Sequence, residues 1–149
     1  MLGVRSHKQT KEITMIKRLE CAFAEVYFIY GVGSDKISKE LNKVFTKGHN
    51  YQDDTGNSAG KAFTMMNNYG DKLFFFWVDS NLKKVDLVSA IVHELVHIIT
   101  FISDYIGTKM NDSSGEWVAY LQEDLLKQAL LIINKKNHVK SKKAKKSTK

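Results

Sequence analysis

The chain has 149 residues and a mass of 17.0 kDa, with 43% hydrophobic and 26% charged residues, the balance of one folded domain rather than a disordered or repetitive chain. A single cysteine, Cys21, excludes a disulfide scaffold and reads as a small reduced hydrophobe. The formal charge of +7 is unevenly spread: residues 134–149 hold eight Lys and no acid, which leaves 15 basic against 16 acidic residues in 1–133. The sequence therefore divides into a near-neutral domain, 1–133, and a Lys-rich tail, 134–149, expected to be solvated and disordered.

In chain order, Ile13, Ile16, Leu19 and Phe23 form a helical stripe over residues 8–24. Residues 25–30 (EVYFIY) are β-branched and aromatic, predicting a strand closed by GVGS. Ser34 or Asp35 caps a short helix bearing Ile37, Leu41 and Phe45, and residues 48–60 form a polar loop. Residues 61–66 and 73–79, separated by a turn with Asn and Gly, predict a hairpin whose second strand is apolar on both faces. A long helix starts at Ser80, Asn81 or Asp86 and stops near Gly107. The last helix spans residues 114–133, with Trp117, Leu121, Leu125, Ala129 and Ile132 on its core stripe. The order α-β-α-β-β-α-α implies an α+β fold, helices packed on a small antiparallel or mixed sheet.

The start of the chain, MLGVRSHKQTKEITMIKRLE, is charged throughout, which points to a cytoplasmic protein. The longest apolar stretch, residues 87–103, carries His93, Glu94 and His97 at its centre. Those groups are costly in lipid, so a core helix is expected there and not a membrane span.

His93-Glu94-Leu95-Val96-His97 is an H-E-x-x-H string. Residues four apart share a helix face, so two imidazoles can grip one Zn²⁺ while Glu94 reaches a water on it. A shuffled chain of this composition yields roughly 0.008 such strings. Catalytic zinc takes a third protein ligand. Glu116, 19 residues after His97, is the candidate, although Ser113-Ser114-Gly115-Glu116 also fits a capping box. Glu123 and Asp124 are rival ligands. His49, Asp53 and Asp54 lie in the polar loop and read as solvated.

HELVH followed by Glu116 in GEWVAY resembles the gluzincin type of metallopeptidase. The E-x-x-A string from Glu116 to Ala119 and the preceding hairpin are similar to minimal members, the ImmA/IrrE-like peptidases and small phage-encoded relatives. The resemblance covers about residues 60–133 and implies a minimal zincin-like fold with His93, His97 and Glu116 as metal ligands and Glu94 as general base. Larger gluzincins often place an acid four residues beyond the ligand Glu; here Tyr120 stands there. Tyr120 is thus a candidate to orient an imidazole or to donate to the oxyanion, a role for which Tyr105 and His138 also compete.

The resulting expectation is zinc-dependent hydrolysis of a peptide bond in a protein substrate, docked along the strand at 61–66 or its neighbour. Mn²⁺, Co²⁺ or Fe²⁺ also suits a His₂Glu set. Two alternatives remain: a catalytically silent zinc-binding structural or interaction protein of phage type, and a nucleic-acid or acidic-partner module acting through residues 134–149.

Overall fold

A computed structural model describes residues 15–45, 51 and 58–146. Four strands, β1 (Ile16–Leu19), β2 (Glu25–Tyr30), β3 (Gly60–Met66) and β4 (Lys72–Val78), form one sheet in the order β1-β2-β4-β3. The β2–β4 pair is parallel and the two outer pairs are antiparallel, so the sheet is mixed. Helix α1 (Ile37–Val44) lies in the connection from β2, while α2 (Lys84–Ile106) and α3 (Gly115–Lys146) follow β4. The coarse α+β class holds.

Side-chain alternation along the strands sends Val26, Phe28, Phe74, Phe76 and Val78 to the face covered by α2 and α3, where they meet Ile91, Leu95, Ile98, Leu121 and Leu125. Ile29, Leu73, Phe75 and Trp77 point the other way and pack with Ile37 and Leu41 of α1. β4 is therefore buried on both sides, which its unbroken apolar run demands. Directly paired residues stack their rings: Phe28 on Phe76 at 4.7 Å, Tyr27 on Phe75 at 5.1 Å and Phe63 on Phe75 at 5.2 Å between centroids. The polar atom of Trp77 is satisfied as well, its Nε1–H donating to the Val32 carbonyl at 3.0 Å.

Two expectations are corrected. The helix expected over residues 8–24 is, among the described residues, strand β1 and a turn. Ile16 and Leu19 have helical spacing, but three residues apart on a strand they face opposite sides. Both sides of this sheet are covered, so both side chains are buried, Ile16 in the α1-side core and Leu19 in the α2/α3-side core. Ile13 lies outside the described residues, as do His49, Asp53 and Asp54. The second correction concerns α3, which runs to Lys146 through most of the segment expected to be disordered. No Gly or Pro interrupts residues 134–146, and Lys and Ala are good helix formers.

The ends of α2 have clear causes. Asp79 Oδ1 accepts from the Asn81 N–H at 2.9 Å, turning the chain out of β4, and Asp86 lies in the first helical turn. Gly107 adopts the left-handed conformation, φ 72°, and Thr108 N–H bonds back to the Ser103 carbonyl at 2.9 Å, the pattern of a glycine-terminated helix.

Candidate functional site

α2 is one apolar rod with a polar seam. Its buried residues include Leu87, Ala90, Ile91, Leu95, Ile98, Ile99 and Ile102, and Glu94 is buried among them at 5% exposure. His93 and His97 stand on the exposed flank beside it. By length and composition α2 could cross a membrane; in this fold its apolar face covers the sheet.

The two imidazoles converge. His93 Nε2 and His97 Nε2 are 3.3 Å apart, with the ring planes inclined at 75°. Two ligands held at about 2.0–2.1 Å on a tetrahedral ion stand about 3.3–3.4 Å from each other. The pair thus has the spacing of two zinc ligands, and equally that of an imidazole–imidazole hydrogen bond.

Glu94 is anchored against edge strand β3. Its carboxylate accepts a hydrogen bond from the Ala62 backbone N–H. Burial pushes its pKa up, against the opposing pull of His93, His97 and that hydrogen bond. A carboxyl raised in this way is a stronger proton acceptor than an ordinary one. The approach of β3 depends on Gly60: a Cβ there would lie 2.8 Å from Glu94 Cγ, 2.9 Å from its Oε1 and 2.9 Å from the Trp77 carbonyl oxygen. Ser58, Gly60, Asp86 and Ser89 line an open recess of about 410 Å³ with His93 and Glu94. Sequence reasoning missed Gly60, because a glycine ending a polar loop looks like a turn residue.

The other candidates do not gather at this seam. Among the described residues no third His, Cys, Asp or Glu joins the imidazole pair. Glu116 is exposed in the first turn of α3, about half a helical turn from the face formed by Ser114, Leu121 and Leu125. Nor does it cap its own helix. The capping box belongs to Asn111, whose side chain accepts from the Ser113 and Ser114 N–H groups at 3.1 Å each, while Ser114 Oγ accepts from the Asn111 N–H at 2.7 Å.

Tyr120 is 67% exposed and lines a different recess with Cys21, Phe23 and Trp117. Tyr105 lies eight residues beyond His97, about 12 Å along the helix axis, with its ring edge-on to Phe74. Exposed His138 is near the far end of α3, and Glu123 and Asp124 are exposed on the same helix. Glu123 pairs with Lys127 at 2.6 Å, and Asp124 accepts from Gln128 at 2.9 Å.

No protein-family model matches the chain, and no curated protein or solved structure does so either. The functional reading therefore rests on the seam of α2 and its surroundings.

Proposed function

We propose that this protein is a zinc-dependent hydrolase of peptide bonds in protein substrates, with His93 and His97 as metal ligands and Glu94 as general base. The observation that carries the reading is the 3.3 Å separation of the two Nε2 atoms beside a buried carboxyl. A divalent ion, zinc or another transition metal, supplies Lewis acidity and an acidified water when bound there. Glu94, held by Ala62 and kept from bulk solvent, takes the proton of the attacking water and returns it to the leaving amine. Among the described residues the outer edge of β3 has no strand partner in the sheet, and an extended peptide would pair along it next to Glu94.

The residues present supply two of the three protein ligands that catalytic zinc takes. Glu116, the third implied by the gluzincin resemblance, reaches the pair only if the first turn of α3 reorients. This favours a second reading, an ion-binding protein without hydrolytic activity.

Elemental analysis of protein purified without chelators, combined with cleavage of a quenched-fluorescence peptide library, separates the two. The first reading expects about one zinc per chain in both the native protein and Glu94→Gln, with cleavage lost only in the variant. Zinc without cleavage in the native protein selects the second reading. Metal well below one per chain overturns both.

A further inference from the structure

The core stripe of α3 does not stop where the sheet ends. Ile132, Lys135, Lys136, Val139, Lys140 and Lys143 continue it at helical spacing. Together with Met15, Lys17 and Tyr30 they line a recess of about 530 Å³, within the range of small-molecule sites. Its floor is apolar, four exposed lysines, Lys17, Lys135, Lys140 and Lys143, stand at its rim, and a fifth, Lys136, also lines it. No acid is among the described residues that line it.

Lys136 is drawn inward. Its ammonium donates to the Tyr30 carbonyl at 3.1 Å, touches Met15 Sδ at 2.6 Å and lies 5.4 Å from the centre of the Tyr30 ring. Gly31, at φ +86°, makes room for it, since a Cβ there would overlap the ammonium. All of these partners are neutral. Glu40, an acid whose charge reaches Lys136, already accepts from the Met15 N–H at 3.2 Å and from the Lys43 ammonium at 2.7 Å. Burial and the neighbouring Lys140 and Lys17 charges push the pKa of Lys136 down. An arriving anion would relieve that repulsion. Residues 1–14 do not offer a surplus of negative charge, because Arg5, Lys8 and Lys11 outnumber Glu12.

We propose that this recess binds a long-chain carboxylate, its head group at Lys136 and Lys140 and its alkyl chain along Met15, Tyr30, Ile132 and Val139. The apolar floor distinguishes such a ligand from a nucleic acid or an acidic peptide, which would engage the rim lysines and leave the floor wet. Each buried methylene tightens binding about fourfold, so chain length and charge both register in the affinity.

The test is calorimetric titration of the full chain with dodecanoate, octanoate and dodecan-1-ol below their aggregation limits. Saturable one-to-one binding of dodecanoate is expected, at least tenfold tighter than that of either comparison ligand. Lys136→Met should weaken it at least tenfold. The double variant Lys140→Gln/Lys143→Gln alters only exposed side chains and should weaken it several-fold with the thermal midpoint unchanged. Equal affinity for acid and alcohol, or dodecanoate binding indifferent to both lysine variants, overturns the proposal. So does tight binding of oligothymidylate or polyglutamate with none of dodecanoate.

Discussion

Burial gives Glu94 a dual character, useful to proton transfer and costly to the resting fold. Its folded-state pKa is raised, so the native protein holds this proton more tightly than the unfolded chain. Stability then falls as pH rises from the unfolded value through the folded one. Glu94→Gln keeps an oxygen acceptor for the Ala62 N–H and removes the charge. Metal-free Glu94→Gln should therefore melt above the native protein at pH 8, with the gap closing toward pH 4, as calorimetry across that range would register. Gly60 acts on the same carboxyl from the other side. Gly60→Ala would place its methyl against Glu94 and the Trp77 carbonyl, and a Cβ forced into such a contact costs about 1–3 kcal/mol, measurable by urea unfolding. The H-E-x-x-H string could be read from sequence because both imidazole spacing and the adjacent carboxyl are properties of a single helix. Gly60 could not, because its partner is 34 residues away and only the folded sheet brings them together.

At the level of elements, the same locality separates what sequence shows from what it hides. The hairpin and α2 carry their own punctuation: Asn67 and Gly70 in the turn, Gly107 at the helix end. β1 carries none. A three-residue spacing of Ile16 and Leu19 fits a helix, and only a sheet covered on both faces makes a strand of it. This two-sided burial has a measurable consequence. Ile16→Ala and Leu19→Ala should each destabilise by about 2–4 kcal/mol, as buried aliphatic truncations do. Because the two side chains belong to separate core clusters, the double variant should lose the sum of the single losses to within about 0.5 kcal/mol. A single helical face would instead couple them. α3 is the opposite case: its stripe is legible, and the helical period alone sets Glu116 about half a turn from Leu121 and Leu125, on the exposed side where the structure has it.

For the whole molecule, an ion gripped by α2 must report itself as stability, since the unfolded chain has no preformed pair. A ligand that binds only the native state contributes about 2.7 kcal/mol at a free concentration one hundred times its dissociation constant. In a chain of this size each kcal/mol moves the thermal midpoint by about 2–4 °C, so saturating zinc should raise it by about 5–10 °C. His93→Ala and His97→Ala each leave one exposed imidazole and should lose most of that increment. Their metal-free midpoints should stay close to the native value, because neither ring belongs to the buried core. Glu94→Gln should keep the increment, since that carboxyl is bound to Ala62 and is not required to hold the ion. Glu116→Gln is the most informative variant. Its side chain is exposed on the far face of α3, so the zinc-dependent rise should match the native one, and apparent affinity should change less than about twofold. Loss of the increment in Glu116→Gln would mean that the first turn of α3 reorients on metal binding, bringing in the ligand that the gluzincin resemblance implies.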